Sequence, residues 1–178
     1  MIRDDEIKRL EQYAYGLGIK KIHYKGPSGD ATGAEWVIDK NNEIELVFYV
    51  HTRLSKRMLI LNFIHELGHH MSWIYRDKKE DPQVLEALNA EFSRGPTDAP
   101  LPKEQRKLIY QMEKADCDYR ETIWNEVGIK MPKWRLYADI ECDIWYYHRY
   151  YIIGEFPTYK KTKAKYYKIQ NKWRKDQQ

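Results

Sequence analysis

The sequence has few of the features that mark secreted or membrane proteins. Its 178 residues include only two cysteines, Cys117 and Cys142, which excludes a fold held together by a set of disulfides. The first residues contain no apolar segment of the kind that a secretory signal requires. No apolar run approaches the roughly 18 residues of a membrane-spanning helix. We therefore expect a cytoplasmic protein that has no membrane partner.

The composition is that of a folded chain. Charged residues make up 33% of the sequence and aromatic residues 14%, with 15 tyrosines and 6 tryptophans. A chain with this many large apolar rings can bury enough surface to fold. Its length predicts one domain with a substantial core and, at most, an appendage.

The positive charge is concentrated at the C-terminal end. Residues 157–178 carry eight basic side chains and one acidic side chain, so this segment has a net charge of +7 and the rest of the chain −3. We predict a globular domain over residues 1–156 and a basic, aromatic, helical tail over residues 157–178. The basic residues are Lys160, Lys161, Lys163, Lys165, Lys168, Lys172, Arg174 and Lys175.

Hydrophobic periodicity predicts an α+β fold that is mostly helical, with a small antiparallel sheet. Strands are expected over residues 19–24, 35–39 and 43–50, the last two joined by a turn at Lys40-Asn41-Asn42. Helical spacing predicts helices at about 4–15, 54–76, 82–92, 103–127 and 133–152, followed by the helical tail. Thr52 or Ser55 can cap the second of these helices.

The segment His65-Glu66-Leu67-Gly68-His69 lies in the middle of the predicted helix 54–76. Side chains four residues apart lie on one face of a helix, so the two imidazoles can bind one cation. Glu66 is rotated about 100° from His65 and is therefore beside such a cation, where a general base for a water molecule belongs. This H-E-x-x-H pattern is typical of zinc metallopeptidases.

A catalytic zinc ion needs a third protein ligand and an open position. We choose Glu113, because it lies in the middle of a long downstream helix; as an alternative it is an ordinary exposed helix acid. Asp116, one turn further on, could accept the outer N–H of a ligand histidine. The other candidates for the third ligand are Glu86, Glu91, Asp116, Asp118, Glu121 and the remaining histidines.

These residues predict a hydrolase of the metalloprotease kind. Zinc bound by His65, His69 and Glu113 would activate water, and Glu66 would act as the general base in hydrolysis of a protein or peptide substrate. His70 points about 100° away from His69, so we interpret it as a bystander or a partner of Glu66 and not as a ligand.

The order of elements and the two motifs resemble the ImmA/IrrE-like metallopeptidases, small zincins often encoded by phages and mobile elements. The matching residues are His65-Glu66-Leu67-Gly68-His69 and, more weakly, Glu113-Lys114-Ala115-Asp116. The resemblance covers about residues 19–130. It implies a zincin-like domain with a glutamate as third zinc ligand, in which residues 43–50 form the edge strand that pairs with an extended substrate. The segment between the two motifs is longer than the compact family pattern.

Two other functions compete with this one. The first is a non-catalytic binding or inhibitory protein on a metal-binding zincin scaffold, although an intact Glu66 argues against it. The second is contact with nucleic acid through the basic tail, whose lysines alternate with Tyr166, Tyr167 and Trp173. We favour instead a solvated helix face that packs on the domain through these aromatic residues.

Overall fold

The structure is a computed structural model that describes residues 5–26, 33–41, 43–50, 55–75, 82–94 and 99–176. Two of the predicted features, the cap at Thr52 and the turn residue Asn42, lie outside the described residues. The chain divides into two compact units, each with its own core. The first comprises residues 1–72 and 118–130, and the second comprises residues 73–117 and 131–178. The predicted domain over residues 1–156 stays a prediction.

Of the described residues, 69% are helical, and a small three-stranded sheet completes the fold, so the prediction of a mostly helical α+β fold is confirmed. The elements in chain order are α1 (Asp5–Gly16), β1 (Lys21–Lys25), β2 (Gly33–Ile38), β3 (Ile44–Tyr49), α2 (Lys56–Tyr75), α3 (Pro82–Phe92), α4 (Lys103–Val127), α5 (Trp134–Tyr147), a π-helical segment (His148–Ile153) and α6 (Tyr159–Lys175).

The sheet is mixed, which corrects the prediction of an antiparallel sheet. Its strand order is β1-β3-β2, and β2 pairs with β3 in antiparallel fashion while β1 pairs with β3 in parallel. The hairpin between β2 and β3 follows from their short connection, but the direction of the β1 pairing depends on the path of the chain and not on the alternation of side chains. Strand β3 is therefore the central strand.

The central position of β3 overturns its expected role as the edge strand. Leu46, Val47 and Phe48 are all buried, as a strand with neighbours on both sides and helices nearby requires. The Phe48 ring packs on Phe63 of α2, with ring centroids 4.5 Å apart. This contact holds α2 against the sheet in the first unit.

Helix α1 joins the sheet and α2 to the end of α4 within the first unit. The Arg9 guanidinium donates through Nε to the carbonyl of Val127 at 2.9 Å. The Glu6 carboxylate accepts the backbone N–H of Lys130 at 2.7 Å and lies 2.9 Å from Nζ of Lys56. The bond from Arg9 satisfies the carbonyl of Val127 in the last turn of α4, which the helix itself leaves unpaired.

The second unit has two small apolar clusters. One consists of buried residues of α3, α4 and the π-helical segment, and the other joins α5 to α6. The first cluster contains Ala87, Leu101, Ile109 and Tyr151, and the second contains Ala138, Cys142 and Ile169.

The α-helix predicted over residues 133–152 ends at Tyr147 and continues as the π-helical segment, which Gly154 closes with a φ angle of +82°. Within the described part of the chain, no helix is both long and apolar enough to cross a membrane.

Candidate metal centre

The two motif histidines lie together on α2. Ser55 caps the helix, since its Oγ accepts the backbone N–H of Met58 at 3.2 Å. Four residues separate His65 and His69, and their Nε2 atoms are 3.1 Å apart, with the ring planes inclined at 70°. Two nitrogens bound tetrahedrally to one zinc ion at about 2.1 Å lie about 3.4 Å apart. The spacing of the two imidazoles therefore suits the binding of one metal ion by both rings.

The carboxylate of Glu113 completes a set of three candidate ligands. One ligand atom each from His65, His69 and Glu113 lies within 4.8 Å of the others, and these three residues could hold a metal ion. Two imidazole nitrogens and one carboxylate oxygen form a donor set that suits zinc and leaves a fourth position open. Other divalent transition metals bind the same donor types.

Glu66 is almost fully buried, with 7% of its surface exposed. Burial raises the pKa of its carboxyl group, while electrostatic interactions with His69 and Arg120 act in the opposite direction. The backbone N–H of Trp36, in strand β2, donates a hydrogen bond to this carboxylate. A carboxylate that is held in place and has a raised pKa is a stronger proton acceptor than a solvated one.

Arg120 on α4 contacts His65 directly, a contact that no motif or spacing in the sequence indicates. Its side chain is completely buried, and Nη2 lies 2.5 Å from Nδ1 of His65. A guanidinium group can only donate hydrogen bonds, so Nδ1 of His65 is the acceptor. A neutral His65 ring then carries its proton on Nε2, and this N–H donates a hydrogen bond to Nε2 of His69.

This tautomer affects metal binding. A metal ion at Nε2 of His65 would replace the proton there, so metal binding and the hydrogen bond between His65 and His69 exclude each other. Ligand histidines ordinarily donate their outer N–H to a carboxylate or carbonyl. At His65 the outer nitrogen, Nδ1, faces the Arg120 cation and not a carboxylate or carbonyl. The ligand atoms therefore fit a metal ion, but the hydrogen-bond partner of the His65 ring is not the one that ligand histidines usually have.

His70 is neither exposed nor a ligand. It is 1% exposed, and its Nε2 lies 3.1 Å from the carbonyl oxygen of Leu17, to which it donates. Its Nδ1 accepts the indole N–H of Trp36 at 3.3 Å. Trp36 therefore links His70 to Glu66, because its indole N–H donates to the His70 ring and its backbone N–H donates to the carboxylate. No periodicity in the sequence indicates this link, because Trp36 belongs to a strand and His70 to a helix.

The other candidates for the third ligand have different surroundings. Glu91 accepts hydrogen bonds from Tyr150 at 2.5 Å and from Arg94 at 2.7 Å, while Glu86 and Asp118 are exposed. Asp116 is buried on α4, with 1% of its surface exposed. Its expected contact with the outer nitrogen of a ligand histidine stays a prediction, and for His65 that nitrogen faces Arg120.

Comparisons of the chain with protein-family models, with curated proteins and with solved structures found no match. The resemblance to ImmA/IrrE-like metallopeptidases therefore stays a prediction from the two motifs. The proposed chemistry of this centre is therefore argued from the side chains of His65, His69, Glu113 and Glu66 alone.

Proposed function

We propose that the protein is a zinc-dependent metallopeptidase that binds its metal through His65, His69 and Glu113. The observation that carries this proposal is the convergence of the three ligand atoms within 4.8 Å, next to the buried carboxylate of Glu66. A purely structural metal site has no need of a general base beside it. Two imidazoles and a carboxylate leave room for a water molecule in the fourth position.

The reaction we propose is hydrolysis of a peptide bond. When bound, zinc acts as a Lewis acid on the carbonyl oxygen and lowers the pKa of a coordinated water molecule to about 7. Glu66 accepts one proton from the water molecule while the oxygen of that water forms a bond to the carbonyl carbon. Glu66 then gives this proton to the peptide nitrogen, the C–N bond breaks, and a carboxylic acid and an amine are the products.

Strand β2 takes the place of β3 next to the substrate in this proposal. Among the described strands, β1 and β2 each have a neighbour on one side only, and of these two β2 is brought to Glu66 by Trp36. An extended peptide can add to such an edge through backbone hydrogen bonds. The N–H of Trp36 is already used by Glu66, so the peptide would bond to other positions of β2.

The proposal is tested with wild-type protein purified without chelator and with the Glu66→Gln variant. We expect about one zinc ion per chain in both proteins, measured by elemental analysis. Cleavage of a fluorogenic peptide library should occur with the wild type and be lost in Glu66→Gln. Glu104→Gln is the control, because Glu104 is an exposed acid in the first turn of α4. Wild-type protein that contains no transition metal would contradict the proposal.

One observation favours a second function, a non-catalytic binding protein. Arg120 and the two histidines form a hydrogen-bonded chain in which each group has a partner without a metal ion. Such a chain can have a structural role alone. A biological activity that survives in Glu66→Gln would favour this function, whereas its loss together with peptide cleavage would favour the peptidase.

A further inference from the structure

Helix α6 has an unusual distribution of charge. Its 17 residues, Tyr159–Lys175, include eight lysines and arginines and no acidic residue. The helix begins at a regular cap, where the side chain of Thr158 accepts the backbone N–H of Lys161. Three of the cations, Lys172, Arg174 and Lys175, lie in its last turn, where they interact favourably with the helix dipole. The helix dipole does not account for the other five.

One face of α6 is anchored on α5. Ile169 is buried beside Ala138 and Cys142. Glu141 of α5 accepts hydrogen bonds from the indole N–H of Trp173 at 2.8 Å and from Nζ of Lys172 at 3.0 Å. Lys165 also belongs to this inner side, since its Nζ lies 6.0 Å from the Trp145 ring of α5. The expected packing of the tail through its aromatic residues is therefore present for Trp173 and for Tyr166, which packs against the same cluster.

This packing leaves six cations on the other side, which we call the outer face of α6. All six side chains are exposed, and at 100° per residue they spread around the part of the helix that turns away from Ile169. They are Lys160, Lys161, Lys163, Lys168, Arg174 and Lys175. Around this face α6 itself supplies no acidic side chain that could neutralise them.

Two tyrosines extend the outer face. Tyr159 is 80% exposed and Tyr167 is 53% exposed. The ammonium group of Lys163 lies 5.7 Å from the Tyr159 ring centroid and 6.0 Å from that of Tyr167. The three residues therefore form one stripe with a spacing of four residues, in which a cation lies between two aromatic rings.

We propose that the outer face of α6 binds single-stranded nucleic acid. Lysine and arginine bind backbone phosphates without regard to sequence, and exposed aromatic rings stack on unpaired bases. The same chemistry speaks against a membrane surface, because the apolar residues Ile169 and Trp173 are already packed on α5 and cannot enter lipid. An acidic protein would match the charges but would leave the two tyrosines without a specific use.

The test uses fluorescence anisotropy of a labelled 20-nucleotide oligo(dT) with the full chain, over a series of salt concentrations. The apo protein in chelator is used, so that the result does not depend on zinc or on peptidase activity. Six phosphate contacts would give a slope of log K against log salt of up to about −4. A matched pair of variants separates the two sides of the helix: Lys160→Gln/Lys163→Gln on the outer face, and Lys165→Gln/Lys172→Gln on the inner side.

Both double variants lose the same charge, but we expect different results. The outer variant should bind the oligonucleotide at least about tenfold more weakly at low salt and reduce the steepness of the salt slope by about 1.4. The inner variant should change affinity by less than about threefold. Tyr159→Ala/Tyr167→Ala should weaken binding about fivefold or more per ring and leave the salt slope unchanged.

Three results would overturn the proposal. One is the absence of oligonucleotide binding at low salt. Another is an equal loss of affinity in the outer and inner variants, which would indicate a general effect of charge. The third is competition by heparin or by phosphatidylserine vesicles that is as strong as by unlabelled oligonucleotide and is unaffected by Tyr159→Ala/Tyr167→Ala. Circular dichroism of each variant verifies that the exposed substitutions leave the fold intact.

Discussion

The indole N–H of Trp36 donates a hydrogen bond to Nδ1 of His70, with the two nitrogens 3.3 Å apart. His70 in turn donates through Nε2 to the carbonyl of Leu17 at 3.1 Å. These two bonds determine the tautomer of His70 and connect strand β2 to the helix that carries the metal-binding motif. Because the backbone N–H of Trp36 also reaches Glu66, the position of β2 determines one of the hydrogen bonds to the proposed general base.

Replacing Trp36 by phenylalanine should destabilise the first unit. The substitution leaves Nδ1 of His70 without this donor in a buried environment, which costs about 1–3 kcal/mol. The free energy of unfolding is measured in urea for Trp36→Phe, His70→Leu and the double variant. We expect a coupling energy of at least about 0.5 kcal/mol, because the two side chains share one hydrogen bond. Additive effects of the two substitutions would show that the bond contributes nothing to stability.

Replacing Glu113 by glutamine should weaken zinc binding by more than tenfold, because a neutral amide is a much poorer zinc ligand than a carboxylate. The measurement is competition with a chromogenic chelator at pH 7. Glu104→Gln removes the same charge from an exposed position on the same helix and should leave the affinity unchanged. Equal zinc affinities of the wild type and Glu113→Gln would remove Glu113 from the ligand set and leave His65 and His69 in place.

Replacing Arg120 by glutamine should strengthen zinc binding about tenfold. The amide oxygen can accept the N–H of Nδ1 in His65, so Nε2 becomes free for a metal ion, and one positive charge near the ion is removed. Arg120→Lys retains the charge and again offers only donors, so its affinity should stay close to that of the wild type. Both variants are compared by chelator competition after their folding has been verified by circular dichroism.

The opposite result for Arg120→Gln would be informative. Zinc affinity at least tenfold lower than in the wild type would mean that Arg120 supports the metal-bound centre, contrary to this prediction. The Arg120→Lys variant then separates a need for positive charge from a need for the planar guanidinium group.

Cys142 should be almost unreactive in the folded protein. Burial and the nearby carboxylates Asp143 and Asp139 raise the pKa of its thiol to about 12, so at pH 8 it is almost entirely protonated. Because the thiolate is the reactive form, the thiolate fraction is roughly a thousandfold lower than for a thiol with an ordinary pKa of about 9. The rate of alkylation by iodoacetamide is measured in Cys117→Ser, in which Cys142 is the only cysteine, with and without guanidinium chloride. Similar rates in the two conditions would contradict the predicted burial.

Much of the local structure could be predicted from the sequence. The helix over Lys56–Tyr75, the helix over Lys103–Val127 and the hairpin of β2 and β3 were all expected close to their observed bounds. Each depends on residues that are near each other in the chain: apolar residues at helical or alternating spacing, the Ser55 cap, and Gly128 after the last turn of α4. The proximity of His65 and His69 has the same origin, since four residues along a helix bring two side chains together.

The pairing of the strands could not be predicted in the same way. Alternation in residues 43–50 indicates a strand and a buried face but contains no information on which strands lie on either side. The parallel pairing of Lys21 with Glu45 made β3 central, so β1 and β2 are the two edge strands. The π-helical segment after Tyr147 was likewise unexpected, because its composition also suits an α-helix.

The residues around His65 and His69 show most clearly which features follow from the sequence and which depend on the tertiary structure. The sequence alone determined the pair of imidazoles, the carboxylate of Glu66 beside them and the basic composition of α6, because all three follow from spacing or composition within one helix. Only the tertiary structure decided that Arg120 faces His65 and that Trp36 joins Glu66 to His70. It also decided which cations of α6 face outward. These contacts join residues on different elements, up to 55 positions apart, and only the packing of helices and strands brings them within hydrogen-bonding distance.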